Sequence, residues 1–117
     1  MAKRPDSDRL RDILDAAAEL NGFVLELDFD GFMASLMTRK AALWQLAVIG
    51  EAAANVSKDL RLRCPQIPWV DISDFRNFVI HEYFGIDWSI VWHVATQDMP
   101  AVVTEIVALL PDLPTGT

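Results

Sequence analysis

At 117 residues the chain has the length of one ordinary domain, able to bury a core without metal or disulfides, and its 52% apolar content contains no run near the roughly 18 uncharged residues that a membrane span requires. A formal net charge of -7 argues against nonspecific nucleic-acid binding, which draws on clustered Lys and Arg. The single Cys64 allows no intrachain disulfide and no cysteine metal cluster, and the charged N-terminus has no apolar leader, so a soluble, cytoplasmic, single-domain protein is expected, frayed over residues 1–6 and 112–117.

In chain order, Asp6 and Ser7 are N-cap types ahead of Leu10, Ile13, Leu14, Ala17 and Ala18, which predicts a first helix from about residue 7 to the low twenties. Gly22 either ends it or is passed through. Asp28 or Asp30 then caps a short helix holding Phe32, Met33 and Leu36. From about Thr38 the residues Leu43, Leu46, Ala47, Gly50, Ala53, Ala54 and Leu60 form one stripe unbroken by proline until Pro65, the longest predicted helix. Its alanines and Gly50 allow another helix to approach closely, and Trp44, Val48 and Ile49 on other faces predict burial on two sides. Cys64-Pro65 and Ile67-Pro68 mark a connection. A further helix starts near Trp69 to Ser73 and carries Phe75, Val79 and Ile80, with Gly85 as its breaker. Asp87 caps a last helical region, where Pro100 either kinks the chain or sits in the first turn of a new helix opened by Asp98. No strand pattern of useful length appears. The expected fold is all-α, an up-and-down bundle of about four to five helices.

All ten basic residues lie at or before Arg76, so any RNA surface is local, with Arg39, Lys40, Lys58, Arg61 and Arg63 as contributors. The acidic C-terminal third suits either a basic protein partner or plain solvation. The segment from Asp74 to Asp87 sets Arg76, Asn77, His81, Glu82 and Tyr83 among aromatic and branched apolar residues, an odd composition for a core helix. On a regular helix Arg76 and His81 lie about 140° apart. They converge only if the arginine reaches round, the helix ends near His81, or a second subunit completes the pocket. A near-neutral histidine can take a proton from a ribose 2′-hydroxyl or give one to a leaving 5′-oxygen, and arginine can grip the phosphate. The same residues also fit a structural reading, with His81 satisfied by a carbonyl and Arg76 paired with Asp74 or Glu82. His81 and His93 are too few for an ordinary metal site, Trp44, Trp69, Trp88 and Trp92 are read as packing residues, Cys64 as structural, and no cofactor motif is present.

Arg76, four residues, His81, one residue, Tyr83 resembles the signature of HepT-like proteins of the HEPN superfamily. Arg76-Asn77, Ile49-Gly50-Glu51-Ala52, Pro65 with Ile67-Pro68-Trp69, and Tyr83-Phe84-Gly85-Ile86-Asp87 before Ile90-Val91-Trp92 match in consistent order, from about Asp8 to Leu110. The resemblance implies an HEPN-like bundle and the toxin of a type VII-like toxin-antitoxin pair, a homodimeric, metal-independent endoribonuclease acting on RNA with Arg76 and His81 catalytic. Asn77 and Glu51 are the supporting candidates, Glu51 equally readable as a surface acid. It also implies an MntA-type nucleotidyltransferase antitoxin that adds AMP to Tyr83. The competing reading is a noncatalytic helical dimer that binds such a nucleotidyltransferase.

Overall fold

The computed structural model describes residues 4–81 and 85–113, with the side chains of Ile80 and His81 outside that description. Among the described residues the chain is all-α, with eight α-helical segments and no strand. The first, α1 (Asp6–Val24), is entered from extended Pro5 and places Asp6 and Asp8 in its first turn, where carboxylates complement the helix dipole. Leu10, Ile13, Ala16, Ala17, Leu20 and Val24 recur every three or four residues and are all buried, so the apolar stripe carries the helix through Gly22. Asp6, the first residue of α1, is tied to the chain beyond α3: its two carboxylate oxygens accept from the Ser57 N–H at 2.8 Å and the Ser57 hydroxyl at 2.6 Å.

Asp28, rather than Asp30, caps α2 (Phe29–Ala34), accepting from the Gly31 N–H at 2.7 Å. Ser35 closes α2 and caps α3 (Leu36–Ala54), accepting from the Thr38 N–H at 3.1 Å. The prediction that α3 is covered on two sides is met: α1 lies along one flank and the segments after Trp69 along the other. Its predicted run toward Pro65 is not. The helix stops at Ala54, where Asn55 Nδ2 turns back to donate to the Glu51 carbonyl at 2.8 Å. Ser57 then caps a separate α4 (Lys58–Arg63). Asn and Ser compete for backbone partners in this way, and here the break is pinned to the start of α1.

The expected helix around Trp69 divides into α5 (Trp69–Ser73), a 3-10 turn (Asp74–Arg76) and α6 (Asn77–His81). Trp69 is buried and its indole donates to the Cys64 carbonyl at 3.0 Å, which fixes the proline-marked connection. Gly85 has φ of 85°, a left-handed conformation suited to glycine at the predicted break. Asp87 caps α7 (Trp88–His93) through the Ser89 N–H at 3.0 Å. A π-helical turn (Val94–Asp98) leads into α8 (Met99–Leu109), with Pro100 in its first turn. Of the two alternatives the first-turn position is the one observed: Pro100 sits at the start of α8, where its missing N–H costs least, and Asp98 precedes the helix without a side-chain cap bond. The fully buried Leu10, Ile13, Phe32, Leu46, Ile49 and Ile106 join α1, α2, α3 and α8 in one core.

Candidate functional site

Arg76 ends the 3-10 turn, and its position is fixed by two consecutive residues of α3. A Cβ built on Gly50 would lie 2.6 Å from the Arg76 backbone N, 3.0 Å from the Ser73 carbonyl oxygen and 3.1 Å from that of Ile72. All three atoms are backbone, so α3 and the turn touch main chain to main chain and no larger residue fits without moving one of them. The next residue, Glu51, holds the guanidinium, with Oε2 at 3.4 Å from Arg76 NH1. The inner side of the turn is anchored by buried Phe75, stacked on Phe78 with ring centroids 5.7 Å apart and an interplanar angle of 11°.

The Arg76 and Glu51 side chains are 49% and 65% exposed, so this ion pair contributes only about 0 to 1 kcal/mol to folding. Its effect is orientation. A charge-assisted bond of full strength is shorter, near 2.8 Å, and a guanidinium has five N–H donors, so a second anion can bind Arg76 while Glu51 steers it. Of the partners weighed from sequence, Asp74 makes no pair with Arg76 and Glu82 lies outside the described residues.

Asn77 is exposed at the start of α6 and lines a hollow of about 460 Å³ with Asp74, Phe78, Ile86, Asp87 and Ile90. In this hollow the Ser89 hydroxyl donates to Asp87 and, with backbone N–H groups of Ser89 and Ile90, holds its carboxyl below the usual range although partial desolvation opposes this. His81 is the last described residue of α6, and the chain that follows it, on which the expected helix end depends, lies outside the described residues. The His81 side chain, and Tyr83 altogether, lie outside them as well.

The remaining candidates divide. Arg39 donates to the Met33 carbonyl and lies 5.2 Å from the Trp88 ring centroid, which commits it to packing, and Arg63 pairs with Asp59 at 3.3 Å. Lys58 and Arg61 line a separate hollow between α4 and α5. His93 is exposed and pairs with Asp98 at 3.4 Å across the π-helical turn. Trp69 is buried, and Trp88 and Trp92 pack on Phe32 at 6.2 and 5.1 Å between centroids, as expected of packing residues. Trp44 is not one, being 65% exposed on α3. Gly50 was legible as a point of close approach, but that its neighbour would be the arginine turn had no signal in the sequence beyond its adjacency to Glu51.

The family model for "Ribonuclease HepT-like" matches residues 13–109. A protein of Methanocaldococcus jannaschii named "Putative RNase" is 35% identical over 106 residues, covering 91% of this chain and 97% of that protein. One of Thermococcus cleftensis named "Probable ribonuclease HepT" is 34% identical over 100 residues, covering 86% and 91%. No solved structure gives a significant match.

Proposed function

Because this chain belongs to the HepT-like ribonuclease family, matched from residue 13 to residue 109, we propose that it is an endoribonuclease whose catalytic pair is Arg76 and His81. The observation that carries the reading is the seat of Arg76: backbone fixed on Gly50, guanidinium steered by Glu51 at 3.4 Å, directly before α6, whose described residues run from Asn77 to His81. In the proposed reaction a ribose 2′-oxygen attacks the adjacent phosphorus, the bond from phosphorus to the 5′-oxygen breaks, and a 2′,3′-cyclic phosphate remains. His81 takes the 2′-hydroxyl proton or, as imidazolium, gives one to the departing oxygen. Arg76 holds the phosphate and stabilises charge on its oxygens as the phosphorane forms. Asn77 is a positioning group at the mouth of the same helix. The residues suffice for this chemistry without a metal.

We further read the protein as the toxin of a toxin-antitoxin pair acting in the cytoplasm. A homodimer with facing motifs would supply two imidazoles, one for each proton transfer. An MntA-type nucleotidyltransferase antitoxin is the proposed partner, adding AMP to Tyr83. Two residues from His81, that group adds bulk and negative charge where the RNA phosphate must sit. The second reading, a noncatalytic helical dimer that binds the nucleotidyltransferase, draws on the net charge of -7.

The test is cleavage of one oligoribonucleotide and its 2′-O-methyl counterpart by wild type. Cleavage of the first alone, with cyclic phosphate ends, is the expected outcome. Cutting of the 2′-O-methyl strand contradicts the mechanism, and no cleavage of either by protein free of AMP favours the noncatalytic reading.

A further inference from the structure

Along α1 and α3 runs a groove of about 540 Å³ with an apolar floor of alanines and Val48. Asp12, Asp15 and Glu19 line it from α1 and Glu51 from α3, against Arg9 as the one cation of the lining. Beside them stands Trp44, 65% exposed in the middle of α3, where Leu43, Leu46 and Ile49 are buried and only Leu36 and Met37 at the start of the helix are likewise exposed among its large apolar side chains. The three α1 carboxylates are spaced three and four residues apart along one stripe about 10 Å long. Asp12 is held by Arg4 at 2.7 Å and Glu19 accepts from Gln45 Nε2 at 2.5 Å, so Asp15 and Glu19 carry the negative charge left for an incoming cation.

We infer that this groove docks a basic helical segment of another protein, one presenting Arg or Lys at three- and four-residue steps with apolar residues between them. Charge complementarity selects that occupant. The carboxylates repel a nucleic-acid strand, and a neutral apolar segment would strip water from them without replacing it. A guanidinium or a lysine stem can lie on the Trp44 indole while its charge meets Asp15 or Glu19. Glu51 closes the groove and also holds Arg76, so a cation bound there competes with Arg76 for the same carboxylate and docking releases the arginine. That coupling rests on the reading of Arg76 as the phosphate clamp; the docking does not.

The test is calorimetric titration of the full chain with a synthetic peptide of about four helical turns carrying Arg at those steps and Leu between them. Trp44→Ala and the double variant Asp15→Asn, Glu19→Gln should each weaken binding about tenfold or more. The matched-charge control Asp59→Asn, Glu105→Gln should leave it within about twofold, and rising salt should weaken it. Equal weakening by groove and control variants, or no binding, overturns the proposal. So does a wild-type dimer that Trp44→Ala converts to a monomer in sedimentation, which would give the groove to a second copy. Groove-dependent binding by protein that cleaves no RNA supports the docking and overturns only its coupling to Arg76.

Discussion

A guanidinium offers five donors, and Glu51 engages Arg76 through a single long contact of 3.4 Å with both side chains about half exposed. Such a pair adds little stability, so removing it should be read in kinetics rather than in melting. Glu51→Gln keeps the shape and deletes the charge. RNA phosphate then meets a less shielded Arg76 and KM falls, while kcat drops about tenfold, roughly 1.4 kcal/mol, because the guanidinium is no longer aimed. An unchanged kcat would reduce Glu51 to a surface acid, the alternative its sequence position left open. Asp87 gives a second residue-level expectation. Its carboxyl is held low by the Ser89 hydroxyl and the backbone N–H groups it caps, so the folded value lies below the unfolded one. The cap's contribution is complete above the unfolded value and is lost as pH falls through the lowered folded one. Asp87→Asn should therefore flatten the acid limb of an unfolding titration and leave neutral stability nearly unchanged, since Asn also caps. At this scale the residue types of the site were readable from their spacing, and Glu51 was a supporting candidate only through the family resemblance. Its contact with Arg76 could not be read, because the two are 25 residues apart and meet only through the packing of α3.

Helix by helix, the stripe of apolar residues predicted α1 well because one face dominates there. In α3 apolar side chains surround the axis, which correctly implied neighbours on two sides and hid where the helix ends. That end is set by Asn55 and Ser57, whose local hydrogen bonds outcompete a pattern continuing to Leu60, with Asp6 of α1 fixing the break from 51 residues away. The 3-10 turn at Arg76 was likewise hidden, since three-residue and four-residue winding share apolar spacing over so short a segment. Gly50 is the element-level test. In Gly50→Ala the new Cβ meets backbone at 2.6 to 3.1 Å, so α3 and the arginine turn must separate. Urea unfolding should show a loss of about 1 to 3 kcal/mol, and under conditions where the variant remains folded its cleavage rate should fall as well. Full activity in a destabilised Gly50→Ala protein would mean that the contact serves folding alone and does not place Arg76.

Across the whole molecule, the all-α bundle followed from composition and periodicity, and the family from the ordered run of motifs that the match over residues 13–109 now covers. Charge was only half legible. The sequence showed that basic residues stop at Arg76, but not that Arg39 is spent on the Met33 carbonyl and Trp88, nor that the carboxylates of α1 gather on a groove beside Trp44. Both depend on how the helices pack. An acidic molecule that cuts RNA must rely on a small cationic point rather than a broad basic face, which makes Arg76 and His81 decisive. The most direct measurement is cleavage of a mixed RNA pool in EDTA by wild type, Arg76→Ala and His81→Ala, with intact mass recorded to show that Tyr83 carries no AMP. The Arg76 and His81 mechanism predicts cleavage by the wild type and a loss of at least about a hundredfold in each variant. Undiminished cleavage in either variant, or intact RNA with unmodified wild type, would contradict it.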